Sequence, residues 1–209
     1  MKFRRKSDPA PAGDVQPPEE EQAAAADPAA GPFDSAGLPD DGEDRVDLGS
    51  LRLRSLPEKE LRLQVDEKSG QVQAVMFVDS EGALELRAFA APRHGDLWSE
   101  VRPKIAAETA QAGGVTAERE GRFGTELLCQ RPARTPDGQQ AVQPSRVLGV
   151  NGDRWMLRAT FLGRPAVEPE AVPEWEDALA TVVVHRGSEA MPVGEPLPLQ
   201  LPPEARRVG

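Results

Sequence analysis

Tyrosine is missing from this 209-residue chain, cysteine occurs once, histidine twice, and aromatic residues make up 4% of it. Each shortage narrows what the protein can do. The lone Cys129 cannot close an internal disulfide, which fits a reducing compartment and makes the cytoplasm the expected location. His94 and His185 are far apart in sequence and far from Cys129, so metal binding, cofactor binding and acid-base catalysis have little to converge from; none of these sites is expected. With few aromatic residues for base stacking and no basic excess in the body of the chain, nucleic acid is not an expected partner. No run approaches the roughly 18 apolar residues of a membrane span, so no stable membrane association is expected. The start MKFRRK is basic like a signal peptide, but SDPAPAGDVQPPEEE follows where an apolar stretch would be needed, so no export signal is read.

Lysine and arginine are also absent from Ser7 to Asp44. Lys2, Arg4, Arg5 and Lys6 contribute +4, the acids from Asp8 to Asp44 contribute -11, and Arg45 to Gly209 carry the remaining -3 of a net -10. A segment of one charge sign, rich in Ala and Pro, cannot offset an ordering cost of about 1 to 2 kcal/mol per residue. Residues 1–44 are therefore expected to be a disordered acidic tail. Its basic start reads as a solvated end, since four charges without an amphipathic helix bind anionic surfaces weakly. The acids around Asp40 to Asp47 lack the glycine and closing glutamate of a calcium loop.

After Asp47 the apolar residues fall into periods. Leu61, Leu63 and Val65 alternate with polar neighbours, Gln71 to Val78 is apolar on both faces, and Leu84 to Ala90 gives another inward row. Asp96 caps a helix bearing Leu97, Trp98, Val101 and Ile105; Pro103 implies that this helix kinks or begins near Arg102. Strands follow at Val115–Glu120, Thr125–Arg131, Gln143–Val150 and Arg154–Leu162, with Asn151-Gly152 as a turn of positive φ. Pro173 opens a short helix with Trp175 inward and Glu174, Glu176 and Asp177 on its solvated side, before a last strand at Thr181–Val184. This order predicts an α+β fold, an antiparallel β-sheet flanked by two helices, as a single domain over 45–186. Residues 187–209 are expected to form an extended Pro/Leu-rich tail, loose or strapped on the domain, and without a PxxP ligand pattern.

Chemical motifs are scarce. Walker, HExxH, GxSxG and GxGxxG patterns are absent, so no catalytic residue is assigned and the chain is not expected to be an enzyme. Cys129 shares a strand face with Leu127 and reads as a buried, inert thiol. His185 reads as a strand-end residue. The sharpest candidate for contact with a ligand or partner is the loop Arg93, His94, Gly95, Asp96 at a helix start, where cationic and titratable groups meet backbone N–H donors. Its simpler reading is a strand-to-helix loop capped by Asp96.

The stretches Arg45-Val46-Asp47-Leu48-Gly49-Ser50-Leu51, Glu85 to Pro92 leading into Trp98, Phe123-Gly124-Thr125-Glu126-Leu127, Leu148-Gly149-Val150 with Arg154-Trp155, and Pro196-Leu197-Pro198-Leu199 together resemble an actinobacterial family built on a domain of unknown function, DUF3710. The element order is also similar to the PsbP-like fold, which implies assembly factors and small binding proteins. These are packing and turn residues, so the resemblance implies a family and no mechanism. Two functions are compatible with all of this: a non-catalytic interaction or assembly module that binds a protein partner, and a small-ligand-binding or enzymatic domain with a site near Arg93 to Asp96.

Overall fold

Alternating rows separated by turns containing Asp and Gly pair with their sequence neighbours. The computed structural model describes residues 31–38 and 42–202. Expectations for residues 1–30, 39–41 and 203–209, including the basic start, lie outside the described residues. The strands are β1 (Phe33–Asp34), β2 (Arg45–Asp47), β3 (Leu51–Arg54), β4 (Glu60–Val65), β5 (Val72–Val78), β6 (Gly82–Ala90), β7 (Val115–Gly121), β8 (Gly124–Arg134), β9 (Gln140–Asn151), β10 (Trp155–Gly163) and β11 (Val183–Val184). The helices are α1 (Leu97–Gln111), α2 (Arg164–Val167) and α3 (Val172–Ala180).

Strands β4 to β10 form a seven-stranded sheet in the order β4-β5-β6-β10-β9-β8-β7, antiparallel at every step. Local side chains fix its turns. Asp79 accepts from the backbone N–H groups of Glu81 and Gly82 at 2.7 and 2.9 Å, and Asp66 does the same for Lys68 and Ser69 at 3.1 and 2.7 Å. The turn after Asn151 differs from expectation: the left-handed residue is Arg154, with φ 62°. Gly152 is needed there for another reason, because a Cβ would run into the Trp155 indole.

The sheet's two faces have different covers. On one, Val75, Phe77, Leu84, Leu86, Leu157 and Phe161 pack with Leu51 and Leu53 of β3, Val184 of β11, and Trp175 and Leu179 of α3. On the other, Leu97, Trp98 and Ile105 of α1 pack on Leu127, Cys129, Val147 and Met156. Each large side chain so buried contributes about 1.5 to 3 kcal/mol. Pro103 lies inside α1 on its exposed side, so the helix begins at Leu97 and runs through the proline rather than starting near Arg102.

Three further features depart from the sequence expectation. A second sheet of order β1-β11-β3-β2 accompanies the first, and a short helix, α2, joins the two expected. The acidic tail contributes β1 to that sheet, pairing in parallel with β11, so ordered structure begins before Arg45. Its segment reads as polar, but Phe33 and Asp34 gain partners 150 residues downstream. Third, Glu176 is buried rather than solvated, and binds Arg146 of β9, which also binds Glu126 of β8. Glu176 neighbours Trp175 on the inward side of α3, and the buried guanidinium gives it a partner.

The Pro/Leu segment is a strap. Leu197 is buried, and Leu197 N–H, Ala90 N–H and Gln200 N–H bond to Ala88, Glu195 and Leu48 carbonyls at 2.8, 2.8 and 2.9 Å. Among the described residues, no helix is long and apolar enough to cross a membrane.

Candidate functional site

The loop Arg93–Asp96 is where chain reversal from β6 into α1 places it. Asp96 caps the helix, accepting from Ser99 N–H at 3.0 Å and from Asn151 Nδ2 at 2.7 Å, and also bonding the Ser99 hydroxyl. The Ser99 hydroxyl, then burial working against it, and the further donors hold the Asp96 carboxyl below its usual pKa. His94 is exposed with φ 55°, and Arg93 approaches Asp153 at 3.9 Å. The loop thus places Asp96 in a structural role and leaves Arg93 and His94 facing solvent.

Asp153 belongs to the rim of a cleft of about 660 Å³ that gathers the ends of several elements. Here β1, the β2–β3 turn, the β9–β10 turn, the residues after β11 and the strap meet. His185 Nδ1 and Ser35 Oγ stand 2.8 Å apart, and Trp155 Nε1 donates to Asp34 Oδ2 at 2.7 Å. Ser50 Oγ and Arg154 Nε are buried without a hydrogen-bond partner. The imidazole is exposed and its Nδ1 is engaged by a hydroxyl, so the cleft can hold a small polar molecule. Cys129 is elsewhere, under α1, where burial pushes its thiol pKa up against the opposing pull of Thr109, Arg131 and Ser145. Among the described residues, no group of three or more His, Cys, Asp and Glu side chains stands as a metal site would need.

A third region was not singled out by the sequence. Helix α1 packs over β7, β8 and β9. On the same face of the sheet, the row formed by Arg62, Met76, Glu85, Arg87, Arg158 and Thr160 on β4, β5, β6 and β10 is exposed or half-buried. Arg87 and Arg158 are directly opposite each other. Both guanidiniums stand over the Phe89 ring, 5.8 and 5.4 Å from its centroid. Glu85 approaches Arg158 at 3.6 Å, and Arg87 Nε is buried without a hydrogen-bond partner. Burial first, then the Arg87 charge, lower the Arg158 pKa, opposed by Glu85 and Glu108. Alternation along β6 and β10 puts these arginines on the outward row. Their adjacency depends on β6 pairing with β10, about 70 residues later, which no local pattern shows.

Comparison with known proteins adds a family and little else. No curated protein matches the chain. Among solved structures it is similar to a crystal structure from Bacteroides thetaiotaomicron VPI-5482, with 10% identity and a TM-score of 0.40, over 68% of this chain and 48% of that one. This chain therefore spans about half the length of that neighbour. The family model described as "Protein of unknown function (DUF3710)" matches residues 31–208, and the chain belongs to that family.

Proposed function

We propose that this protein is a non-catalytic interaction or assembly module that docks a protein partner on the α1-side face of its seven-stranded sheet, over β4, β5, β6 and β10. The observation that carries this reading is the unequal cover of that face. Met156, Leu127 and Val147 are buried under α1, while the neighbouring row keeps Met76, Arg87 and Thr160 within reach of solvent. Mixed apolar and arginine surface of this kind is the composition of protein interfaces. Cytoplasmic location, actinobacterial origin and the PsbP-like likeness, with its assembly role, belong to the same proposal.

Affinity capture with the full chain tests it. Met76→Asp should reduce retention of the partner at least tenfold, as a buried unpaired charge does, while Lys104→Glu on exposed α1 should leave it unchanged. Equal retention by both variants would contradict the reading. His94→Ala and Cys129→Ser should also leave capture unchanged, because His94 lies in the loop before α1 and Cys129 is buried beneath α1 rather than on the open row.

A second reading rests on the cleft. Its hydroxyls, His185 and Arg154 favour a small-ligand-binding or enzymatic domain, with Arg93 touching the rim through Asp153. Turnover of esters, phosphates or peptides that disappears in His185→Ala would establish that reading in place of the first.

A further inference from the structure

Like charges directly opposite across antiparallel strands are destabilising. Other cross-strand arginines have an acid at hand: Arg52 lies opposite Asp47 and Arg119 opposite Glu126, and where Arg54 lies opposite Arg45 it pairs with Glu43 at 2.5 Å. At the centre of the open face Arg87 instead meets Arg158. Both are half-buried and braced on Phe89, Arg87 Nε has no acceptor, and Glu85 reaches Arg158 beyond hydrogen-bond length. A fold that breaks a local rule at a partly buried position gives up stability there, and binding is the usual return. A planar oxyanion set against two guanidiniums would relieve the repulsion and accept paired N–H bonds.

We propose that Arg87 and Arg158, positioned by Phe89, form a subsite for one carboxylate, presented by an acidic side chain of the docked protein; this rests on the docking reading above. Local charge selects a carboxylate over a phosphate. Glu85 lies 3.6 Å from Arg158, so a doubly charged phosphate meets more repulsion at the pair than a single carboxylate does. Met76, opposite Glu85 in the register, supplies an apolar margin that strengthens the ionic hydrogen bonds once a partner excludes water.

The test titrates the full chain with sodium acetate, against sodium chloride at matched ionic strength, with inorganic phosphate as the competing arm. The readouts are the arginine Nε–Hε resonances and the melting temperature. Acetate should shift the Arg87 and Arg158 resonances saturably and more strongly than phosphate does. Arg158→Met should weaken acetate about tenfold, and Arg158→Lys, which keeps the charge and loses the fork, should also weaken it. Without acetate, Arg87→Met and Arg158→Met should melt at or above the wild-type temperature, where a purely structural arginine would melt lower. Absence of a saturable shift, preference for phosphate, or unchanged binding by Arg87→Met and Arg158→Lys would overturn the subsite. Acetate binding together with an intact complex in Met76→Asp would overturn the docking reading alone. A lost complex without any acetate response would overturn the subsite alone.

Discussion

Arg146 holds two buried carboxylates, Glu126 from β8 and Glu176 from α3, and its guanidinium lies 4.8 Å from the Phe161 ring centroid. Burial works against its charge, but the two acids outweigh burial and raise its pKa. Arg146→Met removes the cation and leaves two buried acids without it, so urea unfolding should show a loss of about 3 to 5 kcal/mol. An unchanged midpoint would mean that the pair adds nothing to the attachment of α3. Cys129 gives a second prediction at this scale. With its thiol buried and its pKa raised, it should react with a thiol reagent only after the protein is unfolded; rapid labelling of the native chain would contradict that placement. Its burial was legible because Leu127 and Cys129 share a strand face. Glu176 was not, because three acids on a short helix look solvated until Arg146, 30 residues away in sequence, is placed beside one of them.

At the scale of elements, α1 depends on its cap. The folded-state pKa of Asp96 lies below its unfolded value, so its contribution is complete above about pH 4 and is lost as pH falls through the lower folded value. Asp96→Ala should cost about 0.5 to 2 kcal/mol at neutral pH, and the difference from wild type should shrink in melts performed below about pH 4. A pH-independent difference would point to packing rather than the charged cap. The cap was legible from the Asp before an apolar helical run. Strand β1 was not, since two residues in an acid-rich segment show no alternation and their partner, β11, lies near the other end of the chain. Asp34 accepts from the Trp155 indole at 2.7 Å. A chain starting at Arg45 should therefore melt several degrees below one starting at Gly31, about the shift of 1 kcal/mol or more in a domain of this size. Trp155→Ala, which also opens a cavity, should cost about 3 to 5 kcal/mol.

For the whole molecule, the meander and the position of α1 were readable because each strand and turn carries its own period and breaker. The second sheet was not, because it joins β1 with β11 from near opposite ends of the chain; the strap was one of two readings of the Pro/Leu segment, decided by the bond of Leu197 to Ala88; and the unequal cover was not, because it depends on β10 lying between β6 and β9. That cover is what the proposed docking depends on: α1 shields β7 to β9, and the neighbouring row on β4, β5, β6 and β10 is left for the partner. A photo-crosslinking amino acid placed at Met76 of the full chain, compared with one at Lys104 on the exposed side of α1, measures this directly in cells. Docking on that row predicts one defined protein adduct from position 76 that the Arg158→Met exchange diminishes, and none of that species from position 104. The same adduct from both positions, or from position 104 alone, would contradict it.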